Sequence, residues 1–223
     1  MSLSANLVIG LTVLIPIALL LLISHTHWGK RIGQRLKVTV RLTHRIKHSS
    51  KRLLHDVELL TPTCSERIDH LLIVPTGVFI IDRLPLHGQL SGNPTHGQWR
   101  QQYRSTRRII QNPMHQNFKR LLAVQDVINS THTTPFTVET FQSLIVLTGN
   151  AQFTHDAPDN VQMSRSFTDY INQFDVELLN SDQVNSIAEA IETYRLGKTA
   201  AEPTKPEHKC IGQQRKKRLT HKK

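Results

Sequence analysis

The chain has 223 residues, a formal charge of +11 and a mean hydropathy of −0.31. Its only cysteines, Cys64 and Cys210, are too few and too far apart for a disulfide framework, and the length leaves room for one domain of ordinary size. The charge is uneven: residues 1–50 carry seven bases and no acid, 51–197 carry 12 bases against 15 acids, and 198–223 carry nine bases against two acids. The excess therefore sits on two flanks, where it can meet anionic lipid as readily as phosphate.

Leu7 to Ile23 reads LVIGLTVLIPIALLLLI, uncharged, with Thr12 as its one polar side chain. A bilayer core of about 30 Å needs roughly 17–25 apolar residues as a helix, so residues 7–24 are read as a transmembrane helix. Pro16 is tolerated there. A cleaved signal peptide would have a basic n-region and a small-residue cleavage site; residues 1–6 hold no Lys or Arg, and Ser-His-Thr-His-Trp follows the run. Between Lys30 and Lys47 stand seven bases and no acid. The positive-inside rule places residues 1–6 outside and the body in the cytoplasm. Trp28 suits the headgroup level.

Lys30 to His48 reads as a basic helix, partly amphipathic through Ile32, Leu36, Val40 and Ile46. Leu53 to Leu60 reads as a strand. Ile68 to Val74 and Val78 to Asp82 form a hairpin about Pro75-Thr76-Gly77. Leu86 to Trp99, rich in Gly, Asn and Pro, suggests short extended pieces and turns. Pro113 to Ile128 reads as a helix with Asn112 as its cap. Phe141 to Leu147 is a short buried strand, Ser166 to Phe174 a short helix, and Ser181 to Leu196 a last helix capped by Ser181 or Asp182 and ended by Gly197. The expected fold is α/β, a mixed central sheet flanked by helices behind an N-terminal transmembrane helix. The domain proper is placed at 29–150, with a helical extension at 151–197 and a basic tail at 198–223.

Metal signals are weak. His208 and Cys210 lack zinc spacing. His44 and His48, four apart on an expected helix, have no carboxylate nearby and read as solvated. The tail, with Arg215, Lys216, Lys217 and Arg218, reads either as a lipid- or nucleic-acid-binding segment or as a solvated, disordered end.

A series of landmarks recurs in one order: Ile32-Gly33-Gln34; Leu54-His55-Asp56-Val57; Ile68-Asp69-His70; Gly77-Val78-Phe79-Ile80-Ile81-Asp82; Gly88 and Gly92; Trp99; Asn112-Pro113-x-x-Gln116-Asn117; and the strand Ser143 to Leu147. Over residues 29–150 this series resembles the NERD (nuclease-related domain) family of bacterial, often membrane-anchored proteins. The resemblance implies a restriction-endonuclease-like PD-(D/E)xK fold, in which an Asp and a Glu-x-Lys on a central hairpin, with a Glu from the first helix, serve Mg²⁺-dependent phosphodiester hydrolysis. There two carboxylates hold the metal, which lowers the pKa of its water, and the Lys orients or deprotonates that water.

The carry-over is incomplete. Asp69 stands at the family's Asp. Asp82 stands at its hairpin Glu, one methylene shorter. Gln34 replaces the helix Glu and Leu84 replaces the Lys. Arg83 points to the opposite strand face and makes a poor base. Losing a proton-transfer group costs roughly 10²–10⁴ in rate, and losing an electrostatic stabiliser about 10²–10³. The expectation is a vestigial site at Asp69 and Asp82, with weak Mg²⁺ binding at most, or two polar strand residues without a role. Asn112, Pro113 and Gln116 read as fold-maintaining, and Trp99 as core. Three functions remain: a membrane-tethered protein that binds nucleic acid or a protein without cutting, an active Mg²⁺-dependent nuclease with a rearranged site, or a structural membrane-side adaptor. A Lys reaching the Asp69/Asp82 pair, from Lys30, Lys37 or Lys51, would separate the first two. Any nucleic-acid affinity is expected mainly in the basic flanks.

Overall fold

The computed structural model describes residues 27–46, 48, 50–60 and 65–200. The expected transmembrane span at 7–24, both cysteines and residues 201–223 of the basic tail lie outside these residues. Among the described residues no helix is long and apolar enough to cross a membrane. The chain divides into two units at His44/Arg45. The first contains helix α1 (His27–Arg45). On it Val38 and Leu42 are buried, whereas Leu36 and Val40, expected on the apolar face, are exposed. The helix ends at Arg45, so His48 does not share a helical face with His44.

The second unit is built on strands β1 (Arg52–Leu60), β2 (Ser65–Val74) and β3 (Gly77–Leu84), an antiparallel meander. The β2–β3 turn is Pro75-Thr76, and Gly77 leaves it at φ 141°, where a side chain would also meet the Thr140 carbonyl. Three short strands follow: β4 (Gln89–Ser91), β5 (Gln98–Tyr103) and β6 (Thr106–Gln111). Helix α2 (Pro113–Thr131) then carries the chain back to β7 (Phe141–Leu147), parallel to β3. Asn112 caps α2, its side chain accepting from the Met114 N–H at 2.9 Å, and Pro113 occupies the first turn. Residues 151–197 are not only helical: β8 (Gln152–Phe153) and β9 (Val161–Met163) precede α3 (Phe167–Ile171) and α4 (Ser181–Ala200).

The cap of α4 is Asn180, one residue before the expected pair. Its side chain accepts from the Gln183 N–H at 2.8 Å, while the Asn180 N–H donates to Gln183 at 2.9 Å, a reciprocal box. The helix also continues past Gly197 to Ala200.

Two sheets result. The main one, mixed, has the order β1-β2-β3-β7-β9; the second has the order β6-β5-β4-β8. The principal core lies between the main sheet and helices α2 and α4, with Leu71, Ile73, Val78, Ile80, Leu121, Val124, Ile187 and Ile191 all buried. A smaller cluster of Leu90, Trp99, Ile145 and Leu147 joins the two sheets. Trp99 is fully buried, edge-on to Phe153 and donating to the Asn93 carbonyl at 3.1 Å. The expected mixed sheet flanked by helices is present, and the β-meander, crossover helix and parallel strand are consistent with a nuclease-like fold.

Candidate functional site

Strand alternation explains how the carboxylates meet α2, and where it fails. His55 pairs with His70 and Val57 with Ile68, so the β1–β2 register is continuous. At the level between them Asp56 takes φ 50°. The alternation breaks there: Ile68 and Leu71, three residues apart, both enter the α2 side of the core. Glu66, in line with Ile68, is thereby brought under α2, where it is 4% exposed. Asp82, in line with Val78 and Ile80 on β3, faces the same side and is 5% exposed.

One cation spans the two. Arg120, from α2, bonds Asp82 Oδ2 through Nη1 in a short contact, and its Nε stands 3.5 Å from Glu66 Oε2. Gln116, one turn earlier on the same helix face, donates to Glu66 Oε2 at 2.8 Å. Next to it the Asn117 amide donates to the Ile80 carbonyl at 3.2 Å and accepts from the Ser143 hydroxyl. Burial pushes the Asp82 carboxyl above the usual aspartate range, against the lowering effect of Arg120; nearby Asp69 pushes the same way as burial. Among the described residues Asp82 Oδ1 has no hydrogen-bond partner.

Asp69 belongs to a different pair. Its two oxygens accept from the Arg83 backbone N–H at 3.0 Å and the Arg83 guanidinium at 3.2 Å. Leu84 is packed against the cluster of Leu90, Trp99, Ile145 and Leu147. Gln34 is carried by α1, outside the unit that holds the carboxylates. Of the lysines named for this site, Lys51 donates to the Ile46 carbonyl at 3.3 Å. Among the described residues, the cations on Asp69 and Asp82 are both arginines.

These residues do not fit a catalytic divalent cation. Mg²⁺ needs near-octahedral oxygen coordination. Here Asp69 is engaged on both oxygens, Asp82 and Glu66 face a guanidinium, and Leu84 offers no donor. The one unpartnered oxygen of Asp82 is not a ligand set. Among the described residues no group of three or more His, Cys, Asp and Glu could hold a metal. Asp69 and Asp82, the residues of the expected vestigial site, each pair with an arginine, Arg83 and Arg120 respectively.

Sequence reasoning missed Glu66 and Arg120. Regular alternation puts Glu66 on the face opposite Asp69, and only the break at Asp56 alters that. Arg120 had a legible signal: it lies four residues after Gln116, one turn along the helix whose cap was recognised.

The chain matches the model of the nuclease-related domain, NERD, over residues 28–148. It is also similar to an uncharacterized protein of Bacillus anthracis, 29% identical over 119 residues that make up 53% of this chain and 55% of the relative. The chain therefore spans about half the length of that relative. No solved structure gave a significant match. The matched segment is more than half of the chain and runs from α1 through β7, so the protein belongs to the NERD family.

Proposed function

We propose that this is a membrane-anchored NERD protein whose nuclease-like site no longer cleaves, and whose domain binds nucleic acid at the cytoplasmic membrane face. The observation that carries the first part is Arg120, set between Asp82 and Glu66 beneath α2. A guanidinium there neutralises the carboxylate that the family's chemistry requires to be open. A guanidinium also makes a poor base. Leu84 at the family's Lys position and Gln34 at its helix Glu support the same reading. The anchor rests on the apolar run at 7–24 and the seven bases that follow it. The tail bases Arg215, Lys216, Lys217 and Arg218 add an anionic-surface contact, for which lipid is the nearest source.

Mn²⁺ titration of the detergent-solubilised full chain, followed by electron paramagnetic resonance, tests the site. The reading expects no bound Mn²⁺ that is lost in Asp82→Asn. A bound ion that Asp82→Asn removes would restore the active-nuclease alternative.

A further inference from the structure

The domain's near-neutral total conceals a local imbalance. No Asp or Glu stands between Asp82 and Asp126, and this acid-free stretch contains the whole β4–β6 segment of the second sheet. The register sorts its side chains into two faces. Leu90 and Trp99 turn into the core. Ser91 pairs with Arg100, Arg100 with Ile109, Gln89 with Gln102, Gln102 with Arg107, and Gln89 with Gln152. Directly paired residues share a face. The outer face therefore carries Gln89, Gln102, Gln152, Arg100 and Arg107 around Ile109.

Gln98, Gln102, Arg100 and Arg107 are exposed, as are Gln89, Gln111 and Gln152, and Ile109 is 69% exposed. None of these glutamine and arginine side chains makes a hydrogen bond or ion pair with another described residue. Over them lie two adjoining concavities of about 500 and 1030 Å³ that share Ser91, Arg100 and Ile109. Arg108 lines the first concavity, and the hairpin-tip Arg104 sits over the exposed Tyr103 ring at 5.3 Å.

We infer that this outer face binds single-stranded nucleic acid, with Arg100 and Arg107 on phosphates and the glutamine amides on base edges. Charge complementarity selects an anionic partner, since strands β4–β6 of the face carry arginines and no carboxylate, and among the described residues Asp156 is the one acid lining either concavity. The amides narrow it further: each offers a donor and an acceptor side by side, the pairing that a base edge presents. A four-stranded face is too broad to enter a duplex groove, but an unpaired strand can lie across it with its bases exposed. This deepens the binding part of the proposed function and is independent of whether the carboxylate site cleaves.

The test is fluorescence anisotropy of the full chain in neutral detergent with a labelled mixed-sequence single strand, the matching duplex, and vesicles with and without anionic lipid. Single-strand binding tighter than duplex binding is expected. Arg100→Gln with Arg107→Gln should weaken it about tenfold and lower the salt slope by about 1.4, two phosphate contacts at roughly 0.7 each. Ile109→Glu, which sets a negative charge in the middle of the face, should weaken it as well, and Arg165→Gln, an exposed arginine elsewhere, should not. Unchanged melting temperatures show that the variants are folded. The inference is overturned if the double variant binds as wild type does, if duplex binds more tightly, or if the double variant loses only vesicle binding. Following strand integrity in the same samples, with and without Mn²⁺, reads the vestigial-site proposal separately.

Discussion

Replacing Arg120 by Met keeps the aliphatic stem and removes the guanidinium. Two buried carboxylates, Asp82 at 5% and Glu66 at 4% exposure, then lose the cation between them. Removing one partner of a buried ion pair costs about 3–5 kcal/mol. Two features favour the lower end, about 3 kcal/mol: the Arg120 side chain is 23% exposed, so water can follow it, and Gln116 keeps its bond to Glu66. For a domain of this size that is a fall of about 6–12 °C in melting temperature. The deficit must also depend on pH. Burial already raises the Asp82 pKa, and loss of Arg120 raises it further. A carboxyl with a raised folded pKa contributes stability that is present below its unfolded pKa, about 3.9, and lost as pH rises through the folded value. The variant should therefore approach wild type on acidification and fall furthest behind near neutrality. Urea unfolding of both proteins across that range measures it, and Arg120→Met with Asp82→Asn should recover much of the loss. A deficit below about 1 kcal/mol at neutral pH, or one indifferent to pH, would refute the reasoning.

Asn112→Ala should cost about 2–3 kcal/mol, because the side chain caps α2 and its amide also donates to the carbonyls of Asn93, Pro94 and His96; thermal unfolding checks this. Rebuilding the family pattern with Gln34→Glu, Asp82→Glu and Leu84→Lys should leave the protein without cleavage in a nuclease assay. Arg120 remains, and the new Lys replaces a leucine packed against Trp99 and its neighbours. A reporter active only outside the cytoplasm, fused at Lys223, should stay silent; a strong signal there would reverse the proposed orientation.

What was legible in the sequence was local. Pro75-Thr76-Gly77 specified the β2–β3 turn because Gly77 has to take φ 141°, and Asn112-Pro113 specified the start of α2 because the cap bond closes within two residues. The Asp82 and Leu84 positions followed from the same hairpin. What could not be read required partners distant in sequence. Glu66 and Gln116 meet across 50 residues, and only after the strand alternation breaks at Asp56. The second sheet depends on Gln89 meeting Gln152, and β4 is three residues long, too short to carry a periodic signal. Its arginine and glutamine face was hidden by averaging charge over residues 51–197, because the acids lie on either side of the Arg83–Gln125 stretch. The cap of α4 was misplaced by one residue, because Ser181, Asp182 and Asn180 are all good caps and only the Gln183 amide distinguishes them.

The central claim, a NERD domain closed to metal-dependent cleavage by Arg120, is tested most directly by one measurement. Purified full-length protein is incubated with labelled single- and double-stranded DNA in Mg²⁺ or Mn²⁺, beside the Asp82→Asn variant. The account predicts that wild type cleaves no faster than the variant with either metal. Metal-dependent cleavage by wild type that Asp82→Asn abolishes would contradict it.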